Sequence, residues 1–153
     1  MSEPVFEINR IYIKDLSLET PNTPEIFKDD WDPEINLKLD NDLQVLEEDL
    51  YEVSLTLTVT ATNQEKTAYV VEVEKAGIFT LQHFEEQQKG YIVGAMIPNI
   101  LFPYARETIS SLIQKAGFPP ILLNPINFDA IYQQQVEEQK AGQAEKPANG
   151  QAE

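Results

Sequence analysis

Alternating apolar and polar side chains mark the clearest element of this chain. Over residues 51–60 the odd positions carry Tyr, Val, Leu, Leu and Val, and the even positions carry Glu, Ser and three Thr. A period of two over this length predicts a strand with one buried and one solvated face. A polar turn at residues 63–66 leads into a second alternating run, residues 68–75. The two runs together predict an antiparallel hairpin.

The second run also assigns its side chains to two faces. Its inward positions are Tyr69, Val71 and Val73, and its outward positions are Val70, Glu72 and Glu74. A short strand is predicted at residues 35–39 and a strand of mixed pattern at residues 6–18. The mixed strand is apolar on both faces, which is typical of strands that pair or pack across a subunit boundary.

A proline-rich segment, residues 20–33, connects the first two strands. Its three prolines and three closely spaced aspartates predict a long crossover and not a tight turn. Phe27 and Trp31 lie within it. Large aromatic side chains in a loop must pack somewhere, and loops of this length are often functional. Two interpretations stay open: a groove for a peptide or ligand, or ordinary anchoring in the core.

Helical spacing follows over residues 83–116, with predicted breaks near Gly90, Gly94 and Pro98. Pro98 predicts a helix start, because a proline in the first turn loses no intrahelical hydrogen bond. Pro103 then predicts a bend in that helix. Gly117, directly after the last apolar position, is a natural helix end.

The last predicted helix is residues 128–139, with Asn127 as its N-cap. Residues 140–153 are rich in Ala, Gly, Gln, Glu and Lys and contain no large apolar side chain. Such a segment cannot bury a core, so we expect a domain of residues 1–139 followed by a disordered tail of residues 140–153.

The charge of the chain narrows its choice of partners. The formal net charge is −15, from 26 acidic and 11 basic side chains, which makes a nucleic-acid ligand an unfavourable one. Residues 1–52 hold 15 of the acidic side chains and only 4 basic ones, so basic partners would be steered to that region. The sequence shows neither a secretory signal nor an apolar run long enough to span a bilayer, so we expect a cytoplasmic protein that is not embedded in a membrane.

A catalytic constellation cannot be assembled from these residues. The chain has no cysteine and a single histidine, His83, which is set among polar neighbours. A metal site would have to be built from carboxylates, and no calcium-loop spacing or nucleotide-binding motif occurs. We therefore expect no cofactor and no metal, and the sequence favours a binding protein over an enzyme.

Four ordered segments, taken together, carry a specific pattern. They are RIYIKDLSLE at residues 10–19 with the prolines, Phe27 and Trp31 that follow; Glu72-Val73 with GIF at 77–79; PNILFPYARE at 98–107; and Phe118-Pro119 with NPINFDA at 124–130. In order and spacing they resemble the bacterial protein-export chaperone family SecB. The resemblance covers nearly the whole chain apart from the tail.

The resemblance implies an α+β fold, with a four-stranded antiparallel sheet and helices packed on one face. It also implies a homotetramer that assembles as a dimer of dimers. Proteins of this family bind unfolded precursor proteins, prevent their folding or aggregation, and deliver them to the translocation ATPase SecA. They hydrolyse no nucleotide themselves, and the implied function is that of an ATP-independent holdase.

The resemblance further implies three sets of site residues. The positions that match the SecA-binding face are Asp15, Glu19, Val70 and Glu72. The positions that match the groove for unfolded clients are Phe27, Trp31, Leu37, Leu39, Phe128, Ile131 and Tyr132. The expected oligomer interface contains Val71, Val73, Ile100 and Tyr104. For Leu37 and Leu39, sealing of the core stays open as an equal interpretation.

Two other functions stay open at this point. One is a SecB-like chaperone dedicated to a single partner, such as an antitoxin. The other, from a different class, is a small acidic ligand-binding domain or enzyme whose aromatic side chains line a defined pocket.

Overall fold

Four long antiparallel strands form the sheet that organises the chain. The computed structural model describes residues 2–152, and side chains for residues 2–142. The strands are β1 (Val5–Glu19), β2 (Glu34–Glu47), β3 (Leu50–Asn63) and β4 (Lys66–Gln82). Their order across the sheet is β1-β4-β3-β2, so β1 and β2 are its edges. The predicted four-stranded antiparallel sheet and its central hairpin are confirmed.

Two of the strands are longer than the sequence pattern predicts. β2 was expected over residues 35–39 and runs to Glu47, and β4 was expected to end at Lys75 and runs to Gln82. Residues 40–42 of β2 are polar, so the alternating pattern stops there although the strand continues. An edge strand tolerates polar side chains on both faces. The turn between β3 and β4 places Gln64 and Glu65 at positive φ, the geometry of a two-residue hairpin turn.

One face of the sheet, here called the helix face, carries the core. The register pairs Leu57 with Val73 and Val59 with Val71, and all four side chains are fully buried. The opposite face, here called the outer face, carries polar partners such as Thr58 opposite Glu72. The predicted inward direction of Tyr69, Val71 and Val73 is confirmed.

The helix face is covered by a continuous helical segment. It consists of α1 (Glu86–Tyr91), a π-helical turn (Ile92–Met96) and α2 (Ile97–Lys115). α2 buries a row of residues spaced four apart, with Pro98 and Phe102 buried beside it; the row is Ile97, Leu101, Ala105, Ile109 and Ile113.

The helix start predicted at Pro98 is confirmed, but the predicted break in the helical backbone there is wrong. Pro98 lies in the first turn of α2, directly after the π-helical turn, and the helical backbone continues through it. The wider π turn leaves room for a ring that would clash with a carbonyl of an ordinary α-helix. Pro103 lies inside α2 on its solvent side.

The end of α2 follows the sequence prediction. Gly117 has φ 94, and its N–H donates to the carbonyl of Gln114 at 3.0 Å. The N–H of Phe118 donates to the carbonyl of Ile113 at 3.2 Å, which completes a Schellman motif. The chain then turns sharply, and Phe118 is buried.

The last helix, α3 (Phe128–Ala152), begins where the sequence predicts and extends further. The Oδ1 atom of Asn127 accepts a hydrogen bond from the N–H of Ala130 at 3.0 Å, which confirms the N-cap. The helix was expected to end at Gln139, and the structure continues the helical backbone to Ala152. The division into a domain and a disordered tail of residues 140–153 stays a prediction. None of the helices within residues 2–152 is long and apolar enough to cross a membrane.

Candidate functional site

Hydrogen bonds hold the crossover segment between β1 and β2 against the end of the sheet. The Nδ2 atom of Asn63 donates to the carbonyl of Asp30 at 2.9 Å, and its Oδ1 atom accepts from the N–H of Asp32 at 2.8 Å. Asn22 donates to the carbonyl of Thr67 at 2.9 Å. A short 3-10 helix (Glu25–Lys28) buries Ile26 in the core. The crossover is therefore a fixed part of the fold.

Four aromatic rings meet beneath the crossover. The ring of Phe118 lies 5.0 Å from that of Phe27, 5.3 Å from that of Trp31 and 5.2 Å from that of Tyr69, between ring centroids. Phe27 is 49% exposed, Trp31 is half-buried, and the other two rings are buried. Burial raises the pKa of Tyr69 to about 12, so its phenol is neutral at physiological pH. The cluster is an uncharged aromatic surface with one open side.

An exposed apolar row continues from this cluster along the edge strand β2. The helix-face side chains of β2 lie opposite buried β3 residues but extend beyond the cover of α2. The row spans about 33 Å, at roughly 3.3 Å for each of ten residues. Its exposed members are Ile35, Leu37, Leu43 and Val45; Leu39 is partly buried against the core, and Asn41 interrupts the row between Leu39 and Leu43.

Helix α3 forms the other side of a groove along β2. Ile131 and Gln135 of α3 lie across from Leu39, and between them is a cavity of about 110 Å³. A second pocket, of about 430 Å³, continues the groove past Leu43 and Val45. This depression, bounded by the apolar row of β2 and by Ile131 and Gln135, is here called the β2 groove.

The structure separates the seven residues expected in a client groove. Leu39 and Ile131 line the same cavity, Leu37 is exposed on the same face of β2, and Phe27 and Trp31 offer surface in the aromatic cluster before β2 begins. Phe128 is buried and packs its ring edge-on against Phe102 at 5.9 Å, and it also lines the 110 Å³ cavity beside Ile131. Tyr132 is half-buried and lies against Gly90 and Gly94.

Sequence reasoning missed several members of this site. Leu43 and Val45 continue the period of two, but the polar residues before them interrupt it. Phe118, at the centre of the aromatic cluster, was identified only as part of a family pattern. Its role depends on the Schellman motif that folds it back under the crossover, and local pattern does not reveal such tertiary contacts.

The four expected SecA-binding positions lie together on the outer face. The register places Glu19 opposite Val70 and Ser17 opposite Glu72. Asp15 lies opposite Glu74, which the sequence analysis placed on this face without assigning it to the site. Asp15, Glu19 and Glu72 are exposed. This group of four carboxylates, Asp15, Glu19, Glu72 and Glu74, is here called the acidic patch.

A second charged group borders the acidic patch. The Nζ atom of Lys14 lies 2.7 Å from Oε1 of Glu52, and the hydroxyl of Tyr12 donates to Oε2 of Glu52. These bonds, first from Lys14 and then from Tyr12, lower the pKa of Glu52. Burial and the contact with Glu52 raise the pKa of Tyr12 to about 12. Glu52 thereby neutralises Lys14 and leaves the acidic patch strongly negative.

The expected oligomer-interface residues fall into two groups. Val71 and Val73 are 0% exposed, beneath α2 within the protomer, so their side chains have no surface to offer to a partner. Their inward direction was correctly predicted, but a contact with a neighbouring subunit is incompatible with this burial. Ile100 is half-buried and Tyr104 is 50% exposed.

Exposed apolar side chains of β1 accompany Tyr104. Ile13 and Leu16 lie on the helix face of β1 and are exposed. Lys75, paired with Ile13 in the register, donates from Nζ to Oγ1 of Thr108 at 3.1 Å, and Thr108 donates to the carbonyl of Tyr104. This chain of contacts places the Tyr104–Thr108 turn of α2 over β4, the strand that pairs with β1.

Among the described side chains, no group of three or more acidic or histidine side chains is arranged to hold a metal ion. His83 is exposed in the turn after β4, with φ 65.

Comparison with known proteins finds a family model and several relatives that match this chain. The family model described as "SecB: Preprotein translocase subunit SecB" matches residues 1–139. The protein-export protein SecB of Methylococcus capsulatus is 53% identical over 146 residues, which are 95% of this chain and 93% of that protein. The protein-export protein SecB of Neisseria gonorrhoeae is 50% identical over 141 residues, 92% of this chain and 96% of that protein.

A solved structure shares the fold at lower identity. The SecB-like chaperone of Mycobacterium tuberculosis, in complex with a peptide from the HigA1 antitoxin, superposes with a TM-score of 0.65 at 17% identity. The match covers 79% of this chain and 90% of that one. At this identity the likeness concerns the sheet and its helices.

Proposed function

Because the chain belongs to the SecB family of protein-export chaperones, we propose that it holds unfolded precursor proteins in the β2 groove and delivers them to SecA in the cytoplasm. Membership of the family implies preprotein binding. It also excludes the alternative of a small acidic enzyme, because the family is not enzymatic. Holding a client in this way needs no ATP, because the affinity comes from surface burial.

One observation carries this proposal: the apolar row of β2 lies on the free edge of the sheet. An extended chain placed there can pair with unpaired N–H and C=O groups of β2, and its alternate side chains can enter the groove. Burial of apolar surface rewards almost any apolar segment, at roughly 25 cal/mol per Å². Backbone pairing with apolar burial suits a binder of many unrelated unfolded sequences.

We propose that the acidic patch is the SecA-binding face. Asp15, Glu19 and Glu72 are exposed on the outer face, and Val70 contributes a small apolar contact between them. Closely spaced carboxylates attract a basic partner and accelerate its association. The β2 groove is on the helix face, so SecA and a client would approach from opposite sides of the sheet.

We also propose that the protomer assembles as a tetramer, a dimer of dimers. Ile13 and Leu16 are exposed on the helix face of the edge strand β1, and Tyr104 is exposed on α2, one turn after Ile100. Apolar surface of this kind on a folded domain typically marks an interface. Val71 and Val73 are left out of this proposal because α2 already covers them.

The alternative of a chaperone dedicated to one antitoxin is less well supported. The antitoxin-bound chaperone is 17% identical to this chain, whereas the protein-export relatives are near 50%. An open row of aliphatic side chains also favours many clients over one.

The proposal is tested by placing a charge in the groove. Leu37→Asp should weaken suppression of the aggregation of a chemically unfolded protein, measured by light scattering, because a carboxylate in the apolar row opposes burial. We expect about tenfold more chaperone to be needed for half-suppression. Leu122→Asp is the matched control, because Leu122 is 84% exposed and outside the groove. Equal suppression by both variants would contradict the assignment of the groove.

A further inference from the structure

The helical segment that covers the sheet carries two glycines, without side chains, at the place where α3 packs against it. Gly90 in α1 and Gly94 in the π-helical turn are four residues apart and point to one side. A Cβ atom on Gly94 would lie 2.5 Å from Cδ1 of Tyr132, and one on Gly90 would lie 2.8 Å from its hydroxyl oxygen. Both distances are too short for real side chains. The pair Gly90 and Gly94 is here called the glycine notch.

Glycine is costly in a helix, so the notch needs an explanation. Its greater backbone freedom in the unfolded chain makes it among the least favourable residues in a helix interior. Neither Gly90 nor Gly94 has a positive φ. The feature that requires the missing Cβ atoms is the close approach of the Tyr132 ring.

Further contacts hold the first turns of α3 at this place. The ring of Tyr91 packs edge-on against that of Tyr132, with 5.9 Å between centroids. The hydroxyl of Tyr91 donates to Oδ1 of Asp129 at 2.8 Å. Phe128 anchors the start of the helix in the core. These contacts all lie within the first two turns of α3.

The position of Tyr132 affects the groove through its neighbours on the helix. Ile131 and Gln135, one turn apart, face Leu39 across the 110 Å³ cavity, and Gly94 contributes to the same cavity. Residues 131 and 132 point about 100° apart on a helix. Placing the ring of Tyr132 in the notch therefore determines both the rotation of α3 and the distance from Ile131 to β2.

We propose that Tyr132 is a positioning residue, whose ring in the glycine notch holds α3 as the second side of the β2 groove. The ring of Tyr132 also lines the 430 Å³ pocket of the groove, so the direct client contact expected from the sequence stays a prediction beside this role. The inference rests on the proposed binding of unfolded chains in the β2 groove, and it adds the device that fixes the width of that groove.

The position of α3 can be measured with spin labels, because the chain has no native cysteine. The labels are attached at Lys38→Cys, on the outer face of β2, and at Gln134→Cys, on the exposed side of α3. The distance between the two labels is measured by pulsed electron paramagnetic resonance. Labelled chains are diluted with unlabelled protein, so that each pair reports on one protomer.

Filling the notch should displace α3. We expect Gly94→Ala to shift or broaden the distance distribution, and Gly142→Ala to leave it unchanged. Gly142 lies in α3, outside the notch, and a Cβ atom there would meet nothing within 4 Å. Both substitutions raise helix propensity by the same amount. A difference between their distance distributions is therefore caused by the Cβ atom in the notch. An unchanged distribution in Gly94→Ala would overturn the proposal.

The affinity for an unfolded protein tests whether Gly94 acts through Tyr132. With reduced, alkylated lysozyme as the probe, Gly94→Ala should raise the dissociation constant about fivefold, because an unplaced α3 must be ordered on binding. Tyr132→Ala should weaken binding similarly, and the double variant should be no worse than Tyr132→Ala alone. Additive losses would overturn the proposal, because they would mean that Gly94 acts without Tyr132.

The outcome also distinguishes this inference from the function on which it rests. If the wild type fails to bind the unfolded probe, the proposed function and this inference fall together. If the wild type binds and Gly94→Ala binds equally well, this inference alone is overturned.

Discussion

At the scale of single residues, Glu52 controls the charge balance of the outer face. Its carboxylate accepts hydrogen bonds from both Lys14 and Tyr12, which belong to the neighbouring part of β1. Without it, Lys14 would bring an unpaired positive charge next to Asp15. Glu52 thus binds β1 to the sheet and also keeps the charge of Lys14 from reducing the negative charge of the acidic patch.

The lowered pKa of Glu52 predicts a pH-dependent contribution to stability. Its carboxylate is more stable in the folded than in the unfolded chain. This contribution is present above the unfolded pKa, near 4.3, and is lost as the pH falls through the lower folded pKa. Glu52→Gln should therefore lower Tm by about 2 °C at pH 7, and the difference should disappear towards pH 3.

Circular dichroism melting curves from pH 7 to pH 3 check this prediction. The matched control is Glu34→Gln, which removes a carboxylate from an exposed position at the start of β2. A Tm difference for Glu52→Gln that is the same at every pH would contradict the proposed role of the charge.

At the scale of elements, the two faces of β4 separate two kinds of contact. Glu72 is exposed on the outer face, while its neighbours Val71 and Val73 are fully buried under α2. A substitution on the outer face can therefore change a partner site without touching the core or the groove.

Glu72→Lys tests this separation. Reversing one charge in the acidic patch should weaken SecA binding about tenfold at low ionic strength, and the effect should shrink as salt screens it. Aggregation suppression should stay at the wild-type level, because the groove lies on the other face. Glu65→Lys, at the tip of the β3–β4 turn, makes the same charge change elsewhere. SecA affinity equal to that of the wild type at low salt would contradict the assignment.

The sequence predicted the inner part of the sheet better than its edge. In β3 and β4 a strict period of two follows from burial of one face, and the inward residues were correctly assigned. In β2, both faces are largely solvent-exposed, so the pattern weakens at residues 40–42 although the strand continues. The breaks expected at Gly94 and Pro98 are absent, because a π turn at Ile92–Met96 and then the first turn of α2 continue the helical backbone.

The site could be predicted only in part, for a related reason. Phe27 and Trp31 were identifiable because large aromatics in a polar loop need a partner. That partner, Phe118, lies 87 residues beyond Trp31 and follows a helix end, so no local pattern connects them. Likewise, the glycines of the notch were read as helix breaks, because their contact with Tyr132 exists only in the folded chain.

At the scale of the whole molecule, one sheet presents three separate surfaces. The β2 groove lies at one edge, the apolar surface around Ile13 and Tyr104 lies at the other, and the acidic patch lies on the outer face. Self-association at the β1 edge would leave the β2 edge of every protomer open. The proposed tetramer could then bind one unfolded chain at several grooves, which raises its overall affinity.

The most direct test of this account is the mass of the protein, alone and mixed with reduced, alkylated lysozyme, by light scattering after size-exclusion chromatography. We predict a particle of four times 17.4 kDa that gains the mass of the unfolded probe and co-elutes with it. A stable particle of 17.4 kDa whose mass is unchanged by the probe would contradict the central claim that this chain assembles and captures unfolded proteins.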